Sequence, residues 1–210
     1  MGLQVRTLVV GPFATNCYLA FDEESKEAVI IDPGGEAPRV LEEVQRLALK
    51  PVLLLSTHGH IDHVAGVAAL KEALQVPFAL HPEDTPLLER HPWAEGYPDY
   101  RDPPPPDRPL RGGDSIPFGA CSLLVLETPG HTPGSLCLYG HGVVFTGDTL
   151  FQGSVGRTDF PGSSHARLLT SILTKLLTLP DSTVVLPGHG PRTTIGMEKR
   201  WNPFLGGRGW

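Results

Sequence analysis

The residues that decide the predicted fold read Ser56-Thr57-His58-Gly59-His60-Ile61-Asp62-His63. This stretch follows the apolar run Pro51 to Leu55 and precedes the amphipathic run Val64 to Gln75, a pattern that predicts a strand, a tight loop and a helix. Ligand sites of open α/β sheets lie at the carboxyl ends of strands. Imidazoles crowded this closely would repel one another if they were protonated, whereas a divalent cation would bind them. We therefore predict a metal site in this loop.

A simpler interpretation is that one or two of these histidines only satisfy the hydrogen bonds of a loop. An isolated His-x-His pair would favour it, but Asp62 and His63 add two further candidate ligands directly after the pair. A short loop cannot surround a cation alone, so distant ligands are required.

Three candidates for the distant ligands follow predicted strands in the second half of the chain. Each of them comes directly after a glycine, which lets the backbone turn sharply and leaves room for a cation. They are His131 in TPGHTPGS, Asp148 in FTGDTL and His189 in LPGHGP. A ligand set of nitrogen and oxygen without thiolate suits Zn, Fe or Mn.

The remaining pattern predicts strands first and a covering helix after them, in both halves of the chain. The first half has strands at 3–10, 16–21 and 27–31 and a helix at 36–49; the second has strands at 122–127, 135–139, 143–146 and 183–186, with a helix at 164–179. This order predicts an α/β (α+β) fold, a four-layered αββα sandwich. We expect one domain over 1–210, with a Pro-rich loop at 91–113 and a C-terminal extension at 191–210.

The net charge, the first ten residues and the length of the apolar runs limit which binding partners are expected. The net charge of -6, from 23 acidic and 17 basic residues, provides no basic surface for a nucleic acid, so a small-molecule substrate is expected. The first ten residues do not have the pattern of a signal peptide, and no apolar run has the length of a membrane span. We expect a cytoplasmic location and no membrane partner; the sequence leaves the oligomeric state open.

Asp32 ends a predicted strand in Ile31-Asp32-Pro33-Gly34-Gly35. One interpretation is a carboxylate that forms a turn or caps a helix. Its predicted place beside the metal loop also favours a role in orienting a ligating histidine, without binding the metal itself. His81, His91 and His141 fall outside the ligand pattern and are interpreted as structural.

Taken in order, HxHxDH, PGHTPGS, TGDTLF and PGHGP resemble the motifs of the metallo-β-lactamase superfamily, and the resemblance spans residues 32–189. It implies the metallo-β-lactamase fold and two divalent metal ions, with Zn expected and Fe or Mn as alternatives. The ligands that it implies are His58, His60 and His131 for one metal, Asp62, His63 and His189 for the other, and Asp148 as a bridge between both.

Within the superfamily, the segment Gly153 to Phe160 and the tail with Glu198 and Asn202 are similar to short glyoxalase II-like hydrolases and, in part, to persulfide dioxygenases. The first likeness implies hydrolysis of a thioester, such as a hydroxyacylglutathione, by a hydroxide held between two metals. The second implies mono-iron oxidation of a glutathione persulfide, with part of the second ligand trio left outside the coordination sphere.

Three further expectations concern substrate contacts and the tail. Asp62 and Asp148 are the expected catalytic carboxylates, and Arg157 is interpreted either as a clamp for a substrate carboxylate, which we favour, or as part of a surface ion pair. The chain ends 21 residues beyond His189, so the helical domain of long glyoxalase II enzymes is not expected. The apolar tail residues, expected to be buried, are Trp201, Phe204 and Leu205.

Overall fold

The computed structural model describes residues 2–89, 94–97 and 100–206. The first half supplies six strands: β1 (Leu3–Val10), β2 (Thr15–Asp22), β3 (Glu27–Ile31), β4 (Lys50–Leu55), β5 (Phe78–Leu80) and β6 (Arg108–Pro109). These strands form one sheet in the order β1-β2-β3-β4-β5-β6. The last four are parallel to one another, so their carboxyl ends lie along one edge.

The second half supplies β7 (Ser115–Phe118), β8 (Cys121–Glu127), β9 (Leu136–Gly140), β10 (Val143–Gly147), β11 (Leu150–Phe151), β12 (Ser154–Val155), β13 (Val184–Pro187) and β14 (Thr193–Thr194). Six of them form a second sheet in the order β14-β13-β10-β9-β8-β7, and β11 pairs with β12 in a separate hairpin. Since β10 and β13 are parallel, their carboxyl ends also meet at one edge.

Helices cover the outer face of each sheet. They are α1 (Ala37–Arg46), α2 (Ile61–Val64), α3 (Val67–Leu74), α4 (His165–Ser171), which continues as a π-helix at Ile172–Leu176, and α5 (Ile195–Trp201). Short 3₁₀ helices lie at Pro82–Leu88, Ala94–Gly96 and Pro203–Leu205. The prediction of a four-layered αββα sandwich is confirmed. None of the described helices combines the length and apolarity needed to cross a membrane.

Strand β2 explains why the layers pack in this order. Its side chains alternate, so that Cys17, Leu19 and Phe21 join the core beneath α1 and α3 while Tyr18 and Ala20 join the core between the two sheets. Because a strand directs successive side chains to opposite faces, the continuous apolar run from Cys17 to Phe21 must be covered on both sides. A third core lies between the second sheet and α4 and α5.

Several elements differ from their predictions. The helix predicted from Val64 onward is interrupted at Gly66, whose amide donates to the carbonyl of Pro33. The two-residue strands were not predicted because they are too short to show a periodic pattern. The predicted loop at 91–113 contains β6 and the 3₁₀ helix Ala94–Gly96, whereas His91 lies outside the described residues.

The expectation that the tail buries its aromatic residues is wrong. Trp201 is 41% exposed and Phe204 is 49% exposed, although Leu205 packs partly against the core of the second sheet. The tail is instead attached through a polar residue. The amide of Asn202, which is fully buried, donates to Glu198 Oε2 (2.8 Å) and to the carbonyl of Ser154 (3.0 Å). This network joins α5 to the β11–β12 hairpin.

Candidate metal centre

The fold brings all seven predicted ligands to one edge of the two sheets. The His58 to His63 loop follows β4, His131 lies between β8 and β9, Asp148 follows β10 and His189 follows β13. Parallel strands direct their carboxyl ends to the same side, so ligands that are far apart in sequence meet there.

The first group of candidate ligands consists of His58, His60 and His131, whose ligand atoms all lie within 4.8 Å of one another. The Nδ1 atom of His60 is 3.0 Å from the Nε2 atom of His131. We call this group the first trio.

The second trio consists of Asp62, His63 and His189. Asp62 Oδ2 lies 3.0 Å from His189 Nε2 and 3.4 Å from His63 Nε2. One carboxylate oxygen therefore faces both imidazoles, as ligands of one shared cation would.

Asp148 lies between the trios and directs one oxygen toward each. Its Oδ2 atom is 3.6 Å from His131 Nε2 in the first trio. Its Oδ1 atom is 3.4 Å from His63 Nε2 and 3.5 Å from His189 Nε2 in the second. This geometry suits a carboxylate that bridges two cations.

Buried polar atoms without partners provide a test of whether metal ions fit. Among the described residues, His58 Nε2, His63 Nε2 and Asp148 Oδ1 are buried and have no hydrogen-bond partner. Leaving such a group unsatisfied costs about 1–3 kcal/mol each, and more when the group is charged. All three atoms point into the two trios, where a cation would coordinate them. The residues therefore fit two divalent metal ions.

The electrostatics of the histidines agree with metal binding. Burial, together with the charge of His63, lowers the pKa of His58 well below its usual value, and burial with His131 lowers the pKa of His60 to about 4. Both imidazoles are therefore neutral at pH 7, which is the form that binds metals. Burial alone would lower the pKa of His63, but Asp62, Asp32 and Asp148 outweigh it and raise that pKa. A cation bound at the second trio would supply the positive charge that these carboxylates otherwise stabilise on His63.

Two hydrogen bonds and one ion-pair contact orient three of the imidazoles toward the trios. His131 Nδ1 donates to the carbonyl of Arg157 (2.8 Å) and His189 Nδ1 to that of Phe13 (3.1 Å). His63 Nδ1 lies 3.1 Å from Asp32 Oδ2. In each case Nε2 is left free for a metal.

Asp32 lies at the position expected from the sequence, beside the metal loop and outside both trios. Its carboxylate also accepts hydrogen bonds from the amide (2.7 Å) and the hydroxyl (2.9 Å) of Thr57. Asp32 thus joins the start of the ligand loop to His63.

Arg157 forms the ion pair that was the alternative interpretation of its side chain. Its guanidinium donates to both carboxylate oxygens of Asp159 (3.0 and 2.8 Å) and lies 4.7 Å from the centre of the Phe160 ring. The side chain is 70% exposed. The backbone carbonyl of Arg157, which sequence patterns could not single out, is the group that orients His131.

Three residues of β2 that were not predicted from the sequence as part of the site hold the second trio. Asn16 Nδ2 donates to the carbonyls of Pro187 and Gly190 (both 2.9 Å), on either side of His189, and the hydroxyl of Tyr18 donates to Pro187 (2.7 Å). The Thr15 hydroxyl donates to Asp62 Oδ2 (3.2 Å). The available signal was the polar Thr-Asn pair in an otherwise apolar strand, since a buried amide requires partners.

The histidines interpreted as structural have local partners. His81 Nδ1 accepts from the amide of Glu83 (3.2 Å) and caps the 3₁₀ helix that begins at Pro82. His141 Nε2 accepts from the amide of Ser122 (3.2 Å). Neither residue belongs to a trio.

Comparison with known proteins identifies the family. The model of the Metallo-beta-lactamase superfamily matches residues 10–189, a range that includes β2 and all seven candidate ligands. The chain belongs to this superfamily. The superfamily binds dinuclear metals, and the chain shares its characteristic mixed α/β fold.

Two relatives and one solved structure are similar to the chain over most of its length. The chain is 42% identical to the hydroxyacylglutathione hydrolase GloC of Haemophilus influenzae over 210 residues, covering 97% of this chain and 98% of GloC. It is 34% identical to the mitochondrial persulfide dioxygenase ETHE1 of Homo sapiens over 198 residues, 91% of this chain and 71% of the relative. The crystal structure of TTHA1623 in a di-iron-bound form matches with a TM-score of 0.86 and 45% identity, covering 95% of this chain and 100% of that one.

Proposed function

We propose that this metal-dependent hydrolase cleaves thioesters at a centre of two divalent cations. The observation that carries the proposal is Asp148, which directs one carboxylate oxygen to each of two complete ligand trios. The likeness to GloC, whose name describes a hydrolase of hydroxyacylglutathione, supports a small-molecule thioester as the substrate.

Two divalent cations supply hydroxide at neutral pH and a Lewis acid for the carbonyl oxygen. The chain's own residues position this chemistry. Asp148 sets the separation of the trios, and Asp62 is held in place by the hydroxyl of Thr15 and by His189. These two carboxylates are the proposed catalytic pair. A thiolate leaves readily, so no residue is needed to protonate it.

We propose Zn as the metal, with Fe or Mn as the alternatives. The nitrogen and oxygen ligands of both trios suit all three metals. The di-iron-bound form of TTHA1623 supports iron as one of the alternatives. Elemental analysis of protein purified without added metal distinguishes them.

A mono-iron persulfide dioxygenase is the second candidate. The likeness to ETHE1 favours it, whereas the tail with Glu198 and Asn202 is similar to both families. Such an enzyme would leave Asp62, His63 or His189 outside the coordination sphere. The second trio has all three side chains facing one another, and this supports the hydrolase as the first candidate.

Metal stoichiometry and oxygen uptake separate the two functions. The experiment supplies S-lactoylglutathione and glutathione persulfide in parallel and counts metal ions per chain. We expect two ions per chain and thioester cleavage without oxygen uptake. One iron per chain, with oxygen consumed only in the presence of the persulfide, would contradict the thioesterase and support the dioxygenase.

The contacts around Arg157 predict weak binding of glutathione. Asp159 already binds the guanidinium, and Phe160 presents an apolar ring 5.0 Å from that of His60. Pro191, two residues after the last candidate ligand His189, offers no side-chain hydrogen-bonding group. Each lost polar contact costs about 1 kcal/mol. We therefore expect a high KM for glutathione thioesters, tolerance of other thiol carriers, and a kcat that is less affected.

Steady-state kinetics would test this expectation by comparing S-lactoylglutathione with a truncated thioester that lacks the γ-glutamyl group. Similar kcat/KM values are expected. A strong preference for the full glutathione compound would contradict it, since the pocket would then recognise glutathione through other residues.

A further inference from the structure

We infer that Asp84, which lies outside the ligand set, is the positioning residue that locks together the two loops of the first trio. It belongs to the 3₁₀ helix Pro82–Leu88, and its side chain is fully buried. The inference rests on the proposed two-metal centre but is independent of the substrate.

The three hydrogen bonds of the Asp84 carboxylate all go to ligand loops. Oδ2 accepts from the amide of Gly59 (2.9 Å), the residue between His58 and His60. The same oxygen accepts from the hydroxyl of Thr132 (2.7 Å), next to His131, and Oδ1 accepts from the amide of Gly134 (2.7 Å). One carboxylate thus joins the loop after β4 to the loop before β9.

The packing around Asp84 leaves no room for a larger side chain at Gly59 or at Gly134. A Cβ atom added to Gly59 would lie 2.7 Å from the carbonyl oxygen of Asp84, and one added to Gly134 would lie 2.7 Å from Asp84 Oδ1. Both glycines allow the loops to approach the carboxylate directly. A carboxylate is also the side chain best suited to three donors, because it only accepts when it is ionised, whereas an amide would place its own NH₂ group against one of them.

The second trio is held by other groups, so the effect of Asp84 should be selective. Asp62 is bound by Thr15 and His63 by Asp32, and the carbonyl of Phe13 orients His189. The amino-acid sequence does not indicate that different groups hold the two trios. The difference arises because both loops of the first trio meet at Asp84.

The test is Asp84→Asn in the full-length, metal-loaded protein. Removing a hydrogen bond to a metal ligand lowers metal affinity about 10- to 100-fold. Because the partners of Asp84 are neighbours of the ligands and not the ligands themselves, we expect a loss near the lower end of that range, about 10-fold, at the first trio and near-normal affinity at the second. Chelator titration with zinc measures the two release steps, and anomalous scattering from crystals locates the metal that remains. Activity is not needed as a readout.

Asp22→Asn is the matched control, because Asp22 is also buried and accepts hydrogen bonds from the amide (3.0 Å) and hydroxyl (2.7 Å) of Ser25, in the β2–β3 turn. It should lower the melting temperature without changing either release step. Thr132→Val removes one of the three donors and should cause a smaller loss at the same trio, which keeps the inference testable if Asp84→Asn does not fold.

Two results would overturn the inference. The first is a folded Asp84→Asn protein, or a folded Thr132→Val protein, that releases metal from the first trio as the wild type does. The second is equal loss from both trios, matched by Asp22→Asn, which would show a general effect of stability. A wild-type protein that binds only one metal would instead contradict the proposed two-metal function.

Discussion

Replacing Asp148 by alanine is expected to abolish hydrolysis and to lower the metal content at both trios. Its two oxygens face different trios, so one substitution removes a ligand from each proposed cation. Metal affinity should fall by more than the ~10- to 100-fold that is lost when only a hydrogen bond to a metal ligand is removed. Metal analysis after dialysis against a chelator, together with thioester kinetics, measures both effects.

The control for Asp148→Ala is Asp181→Ala, which removes an exposed carboxylate that pairs with Lys199 (2.6 Å). It should keep both metals and normal turnover. Full occupancy of both positions in Asp148→Ala would exclude the bridging role, and loss of one metal alone would assign Asp148 to a single trio.

Gly188→Ala is expected to have the second largest effect, although it adds only one methyl group. That methyl would overlap with Asp148 Oδ1 and lie 2.7 Å from His63 Cε1, so two candidate ligands would have to move. The carbonyl carbon of Gly147, 3.1 Å away, blocks the other side. Closely packed interiors relax only partly when a group is added. We therefore expect metal affinity to fall by at least the ~10- to 100-fold that is lost when a hydrogen bond to a metal ligand is removed.

The matched control is Gly96→Ala, where, within the part of the chain that the structure describes, the added methyl meets only Pro12 Cγ at 3.9 Å. It should leave metal content and kcat/KM unchanged. Both variants are compared by metal content, kinetics and melting temperature. If Gly188→Ala binds two metals and turns over normally, the loop before His189 can shift without disturbing the centre.

The fold could be predicted because its signals are local. The apolar runs in β2 and β4 show which strands are covered on both faces, and the order of strands and helices then leaves few architectures. The candidate ligands could be named for a similar reason: His58, His60 and Asp62 lie close together in sequence, and each distant candidate follows a glycine at a strand end.

The contacts that hold the centre could not be predicted, because they join segments far apart in the chain. Asn16 reaches the carbonyl of Pro187, 171 positions away, and Asp84 reaches Gly134, 50 positions away. The polar Thr15-Asn16 pair signals that a buried amide needs partners but does not say which, and Asp84 does not differ in sequence from an ordinary turn residue. Their partners depend on how the strands register and how the two sheets face each other.

The sequence by itself determined the superfamily, the layered fold and the types of candidate ligand, because each depends on short patterns of apolar and polar residues. Only the tertiary structure decided that Asp148 faces both trios, that Arg157 is paired with Asp159 and that Trp201 is exposed. The physical reason is that a side chain's chemistry is set by its type, whereas its partners are set by the packing of elements that are distant in sequence.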